Sequence, residues 1–122
     1  MNSTRNSAFK FWGWSTLIGL AGLAGGLRFY NLSALGYANH YYAAAALSMT
    51  QSWRNFFFAA AEPGGSVSLD KPPLGAWFQA ISAAIFGVNT FGLLLPQLLA
   101  GILSVLLVYW LTHQYFGRAA GL

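Results

Sequence analysis

The chain has 122 residues, of which 57% are hydrophobic and only 7% charged. An ordinary soluble domain carries roughly 25% charged residues, so this composition points to a membrane protein. Its net charge of +4 comes from scattered basic residues, Arg5, Lys10, Arg28, Arg54, Lys71 and Arg118, which form no run and give nucleic-acid binding little support. Without cysteine there is no disulfide, thiolate metal site or cysteine nucleophile, and any metal must be held by oxygen or histidine.

The first charge-free run, residues 11–27, lies between Lys10 and Arg28. At 1.5 Å per residue it makes about 25 Å of helix. With Phe9, Phe29 and Tyr30 as interfacial extensions, it predicts a first membrane span at about residues 9–30. A cleaved signal peptide is the rival reading of this segment, but further apolar spans follow it. Gly22 and Gly26 form a small-xxx-small pair that would let another helix approach closely.

Residues 31–71 then form a loop. Within 41–53, Tyr42, Ala46, Met49 and Trp53 fall on one helical stripe and Ser48, Gln51 and Ser52 on another, the pattern of an amphipathic helix on a membrane surface or packed against the rest of the protein. Trp53-Arg54-Asn55-Phe56-Phe57-Phe58 adds an aromatic surface element, and Glu62-Pro63-Gly64-Gly65-Ser66 reads as a turn. The loop returns to the membrane face at Asp70-Lys71-Pro72-Pro73. A carboxylate and an ammonium are costly near hydrocarbon, which makes this pair a candidate site. The plainer reading has Lys71 as an interfacial anchor and Asp70 as the N-cap of a helix opened by the prolines.

From Lys71 to Arg118 no residue is charged. That stretch suits two spans, and residues 87–92, Gly-Val-Asn-Thr-Phe-Gly, supply the turn between them. The predicted second and third spans are residues 72–87 and 91–112, with Pro96 early in the third. Arg5 and Lys10 place the N-terminus in the cytoplasm, the loop 31–71 outside and the 87–92 turn inside. No phosphate-cradling glycine loop, HExxH or Ser/His/Asp set is present, and His40 and His113 are far apart in sequence. The glycosylation patterns at Asn2 and Asn31 are read as chance matches.

In this order, Arg28-Phe29, then Gly36-Tyr37-Ala38-Asn39-His40-Tyr41-Tyr42-Ala43, then Asp70-Lys71-Pro72-Pro73-Leu74-Gly75-Ala76-Trp77, the chain resembles the N-terminal part of family 39 glycosyltransferases. These include the protein O-mannosyltransferases and the lipid A aminoarabinose transferase. The resemblance continues through Phe86-Gly87 and residues 94–101 to Phe116-Gly117.

It implies an all-α integral membrane protein of the GT-C-like polytopic kind, with residues 1–122 as one N-terminal membrane fragment of three spans and an external loop carrying surface-lying helices. It also implies a multi-pass plasma-membrane transferase that takes a sugar from a polyprenyl-phosphate donor to an acceptor on the external face. By position, Asp70 becomes the catalytic carboxylate or a metal ligand for a divalent ion. Lys71 contacts the donor phosphate, and Asn39, His40 and Tyr41 join the substrate-binding set. Better-known members have an Asp-Glu pair at the start of the first external loop. Here Ala38-Asn39 stands in its place, so the base is either Asp70 or a carboxylate beyond this chain. Three spans cannot enclose both a lipid donor and an acceptor, which implies a fragment that is inactive by itself. A small non-catalytic membrane adaptor or assembly subunit is the alternative reading, and it makes Asp70 and Lys71 replaceable.

Overall fold

The computed structural model describes residues 3–117, with side chains from Trp14 onward. Five helices follow one another: α1 (Ser3–Phe29), α2 (His40–Gln51), α3 (Trp53–Phe57), α4 (Pro73–Phe86) and α5 (Thr90–Phe116), with a 3-10 turn at Leu32–Leu35. Among the described residues there is no β-strand, only an isolated bridge between Ala60 and Ser68. The described part of the chain is therefore built on helices. Among the described residues α5 is the one helix long and apolar enough to cross a membrane, while α4 is apolar but only 14 residues long.

The chain divides into two compact units, one holding α1 and the later part of α5, the other residues 31–97. In the first unit the end of α1 meets α5, burying Ala24 and Tyr109. Gly25 faces α5, where a Cβ would stand in ordinary contact, 3.6 Å, with Ile102 Cδ1. Leu20 shares a cleft with Val108 and Tyr109, whereas Arg28 lies against Gly101. Later residues of α1 thus meet earlier residues of α5, and the two segments run antiparallel. The small-xxx-small pair is not the face that meets α5 here. Gly22 and Gly26 face open space, and Gly25 and Gly101 take the contact instead.

The second unit is built on α2. Asn39 is extended (φ −133°, ψ 115°) and its Oδ1 accepts from the Tyr41 N–H at 2.9 Å, which caps the helix. A run of alanines then propagates it and leaves a flat face that α4 can approach. Ala43 and Ala46 pack with Ala83 and Leu93, and Met49 packs with Ala59 and Ala80.

The helix stops at Gln51 because Ser52 turns extended and caps α3, its Oγ accepting from the Asn55 N–H at 3.1 Å. Two expectations fail here. Trp53 leaves the apolar stripe and is 77% exposed, and Ser48, assigned to the polar stripe, is fully buried. The reason is a local polar network: Asn55, itself buried, donates from Nδ2 to Ser48 Oγ at 3.2 Å and to the Pro63 carbonyl at 3.0 Å. A buried hydroxyl with such a partner is tolerated inside. Packing against α3 and α4 is what the α2 face does in this unit.

The turn between α4 and α5 is where the sequence placed it. Asn89 donates from Nδ2 to the Phe86 carbonyl at 2.8 Å and accepts at Oδ1 from the Gly92 N–H at 3.0 Å, closing one helix and opening the next. Gly92 is required, because a Cβ there would run into the Gly87 carbonyl oxygen. Gln79 donates to the Leu93 carbonyl at 3.1 Å, three residues before Pro96, and ties α4 to the start of α5.

Candidate functional site

The segment that delivers Asp70 is a closed loop. Leu69 N–H donates to the Ala59 carbonyl at 2.9 Å and Ala61 N–H to that of Val67 at 2.8 Å, so the chain doubles back between them. Its tip is organised by Glu62, whose carboxylate accepts from Gly64 N–H at 2.6 Å, Ser66 N–H at 2.7 Å and Ser66 Oγ at 2.9 Å. The Ser66 backbone and hydroxyl, followed by the Gly64 N–H, hold the Glu62 carboxyl below its ordinary value. Gly65 sits at φ 69°, and its N–H donates to the Glu62 carbonyl at 3.1 Å. The pattern of Glu followed by Pro-Gly-Gly-Ser made the turn legible, but not the carboxylate's part in it.

The loop is seated by aromatic contacts. Trp77 Nε1 donates to the Phe56 carbonyl at 2.8 Å, and the two rings stack at 6.3 Å. Leu69 packs in the same cluster as Met49, Ala59 and Ala80. The backbone on both sides of Asp70 is thereby anchored: Leu69 from the core, Trp77 from α4.

Asp70 and Lys71 themselves are open to solvent. Lys71 Nζ lies 3.4 Å from Asp70 Oδ2, with both side chains over 60% exposed. The helix begins at Pro73 with Pro72 as its N-cap and no side-chain cap hydrogen bond. The capping role that Asp70's position suggests is therefore not taken. An exposed pair of this kind contributes about 0–1 kcal/mol to stability, so neither charge is held back from an incoming ligand by the fold.

The other three candidates stand elsewhere. Asn39 uses its side chain to cap α2, His40 meets Tyr37 edge-on at 5.9 Å, and Tyr41 meets Tyr42 at 5.3 Å; all three candidates are exposed. Ala43 and Ala46 pack near Ala83, Met49 near Ala80, and Phe56 near Trp77. Advancing along 43–56 moves back along α4. Asn39, His40 and Tyr41 thus lie toward the end of α4, whereas Asp70 and Lys71 precede its start, and the structure does not bring the two groups together.

The described residues do not by themselves assemble a divalent-ion site. Among the described residues no three His, Asp or Glu side chains gather. Glu62 is engaged by its own loop, and Asp70 has an ammonium beside it. One carboxylate so placed does not make the multidentate oxygen set that Mg²⁺ or Ca²⁺ needs.

Residues 70–122 match the family model of the dolichyl-phosphate-mannose-protein mannosyltransferases, a match that opens on Asp70. The chain is 52% identical over 83 residues to "Putative mannosyltransferase YycA" of Bacillus subtilis (strain 168), covering 68% of this chain and 12% of that protein. It belongs to this mannosyltransferase family. A second Bacillus subtilis relative, "Putative mannosyltransferase YkcB", is 46% identical over 94 residues, 77% of this chain and 13% of its own length. An uncharacterized protein of Aquifex aeolicus (strain VF5) is 34% identical over 94 residues, 75% of this chain and 18% of its own. The chain thus spans less than a fifth of the length of these curated relatives. No solved structure matches it. The family resemblance read from Asp70-Lys71-Pro72-Pro73 and its neighbours is confirmed at the level of the family.

Proposed function

We propose that residues 1–122 carry part of the donor-phosphate site of a GT-C-like membrane glycosyltransferase, with Lys71 and Asp70 as its reacting groups. The observation that carries the reading is the Asp70–Lys71 pair, exposed, uncapped and set on a braced loop at the point where the family match begins. In the reaction the bond between the sugar's anomeric carbon and the phosphate oxygen breaks, and a bond from that carbon to the acceptor oxygen forms. The electron pair leaves with the polyprenyl phosphate, where the Lys71 ammonium neutralises the developing charge. The proton lost by the acceptor goes to the Asp70 carboxylate. Asn39, His40 and Tyr41 act, on this reading, at a separate part of the substrate path.

The proposal places the protein in the plasma membrane with a cytoplasmic N-terminus and the loop 31–71 outside, facing donor and acceptor. Three crossings, α1, α4 and α5, are supported by the apolar face that α4 leaves bare at Leu74, Phe78, Ile81 and Ile85. A specific observation favours a second reading. The antiparallel pairing of α1 with α5 is the arrangement of a two-crossing hairpin, with the short α4 lying at the external surface. The two differ at Asn89, which is cytoplasmic in the first and external in the second.

Donor binding tests the assignment of Lys71 directly. In a chain extended to the length of its relatives, Lys71→Ala should weaken binding of a polyprenyl-phosphate sugar by about tenfold or more, and Lys71→Arg should restore part of it. Unchanged donor binding by Lys71→Ala would remove the lysine from the site.

A further inference from the structure

Arg28 is a cation in an unusual position. It stands in the last turn of α1 and lies against Gly101, which is near the middle of α5, the helix apolar enough to span a membrane. A Cβ added at Gly101 would meet the guanidinium group, so this glycine makes the room that Arg28 occupies. Of the five donors on a guanidinium, one is used among the described residues, from Nη1 to the Ala24 carbonyl at 3.3 Å. The chain has two acidic side chains, Glu62, held by Gly64 and Ser66, and Asp70, 3.4 Å from Lys71, and the ion pair among the described residues is Asp70–Lys71.

Beside the guanidinium is a cleft of about 320 Å³ between α1 and α5, lined also by Leu20, Ser104, Val105, Val108 and Tyr109. The Ser104 hydroxyl donates to the Ala100 carbonyl at 2.8 Å, which leaves the Arg28 guanidinium as the cation of the cleft, with Tyr109 as a neutral polar residue in the same lining. An apolar trough with one strongly basic group at its side matches an amphiphile that joins an anionic head to a hydrocarbon chain. A basic pocket between membrane helices binds phosphate head groups for this reason, and a fork of N–H donors is suited to two phosphate oxygens. Leaving a guanidinium against the middle of a span without an anion or water is costly.

We propose that the α1–α5 cleft binds an anionic phospholipid, its headgroup phosphate paired with Arg28 and one acyl chain lying along Leu20, Val105 and Val108. The site is distinct from Asp70–Lys71 and does not depend on the transferase reading. It makes a bound lipid part of the α1–α5 contact, in the place that a carboxylate would fill in a soluble helix pair.

Native mass spectrometry of the full 122-residue chain, released from detergent with phosphatidylglycerol or phosphatidylcholine added at equal concentration, tests this. Retention of phosphatidylglycerol should exceed that of phosphatidylcholine by about tenfold, the value of a charge-assisted pair. Arg28→Gln should remove that preference and Arg28→Lys keep part of it. Gly101→Leu should remove it too, with Arg28 intact, by filling the space beneath the guanidinium. Helix content by circular dichroism separates loss of the site from loss of fold. Equal retention of the two lipids by the unaltered chain would overturn the proposal, as would a preference that survives Arg28→Gln in the folded protein. Displacement of phosphatidylglycerol by an equal concentration of inorganic phosphate would show a free-anion site and overturn the lipid assignment.

Discussion

Glu62 and Asn55 do more for the candidate site than their exposure or type suggests, because each replaces several backbone partners in a loop with no sheet or helix of its own. The Glu62 carboxylate is held below the ordinary glutamate value of 4.5 by the Ser66 and Gly64 donors. A lowered folded-state pKa means that its stabilisation is complete above the unfolded value and is lost as pH falls through the folded one. The loop from Ala59 to Leu69 should therefore loosen as pH drops from about 4.5 toward that lower value, while Glu62→Gln should abolish this dependence. Amide hydrogen exchange at Gly64 and Ser66 between pH 6 and 3, corrected for the intrinsic rate, reads both effects. For Asn55 the expectation is a stability loss. Asn55→Ala removes the Nδ2 donor from Ser48 and from the Pro63 carbonyl and should cost about 1–3 kcal/mol, visible as a lowered unfolding midpoint of the chain in detergent. Neither role was legible from residue type. Ser48 looked like a surface residue by helical spacing, and only a partner seven positions along the chain explains its burial. Ala38 and Ala59 likewise adopt left-handed backbone, φ 58° and 47°, which an alanine does not announce.

At the scale of elements, the turn between α4 and α5 was readable because its chemistry is local. Asn89 and the two flanking glycines are turn-formers whichever way the surrounding helices pack, and the structure uses all three. Gly92→Ala should push its Cβ into the Gly87 carbonyl and destabilise the α4–α5 junction by about 1–3 kcal/mol, measurable by thermal unfolding. The end of α2 was misread for the opposite reason. A hydrophobic period that runs on to Trp53 cannot show that Ser52 breaks the helix by turning extended to cap α3. The glycine of α1 that faces α5 was not legible because Gly22, Gly25 and Gly26 are equivalent by composition, and only the partner helix selects among them. Crossing number belongs to this scale as well. A cysteine at Ser68 should label from outside the cell, and one at Asn89 should be reached only from the cytoplasm if α4 crosses. Asn89→Cys gives up the cap, about 1 kcal/mol, which the junction tolerates. External labelling at Asn89 would establish the two-crossing hairpin, and cytoplasmic labelling at Ser68 would contradict the orientation itself.

For the molecule as a whole, composition pointed to a membrane protein, in keeping with the one long apolar helix among the described residues, and the Asp70-Lys71-Pro72-Pro73 element led to the family. What the sequence could not show is how much of a site these residues make together. The structure braces Asp70 and Lys71 on one side and leaves Asn39, His40 and Tyr41 at the other end of the α2–α4 contact, an arrangement set by helix pairing that no local pattern encodes. A chain spanning 12–13% of its two Bacillus subtilis relatives should insert into membranes yet transfer no sugar when purified alone. The central claim, that Asp70 and Lys71 react with substrate, is tested most directly at Asp70, because its side chain makes no helix-capping hydrogen bond. Pro72 stands at the N-cap position of α4 and no side chain caps it, so Asp70→Asn has no cap to disturb and its exposed side chain has little stability to lose. The decisive measurement is sugar transfer from a polyprenyl-phosphate donor by the Asp70→Asn variant in a chain of its relatives' full length, at matched expression and insertion. The account predicts a fall of about 10²–10⁴-fold, the worth of a general base. Transfer at the rate of the unaltered enzyme would contradict it.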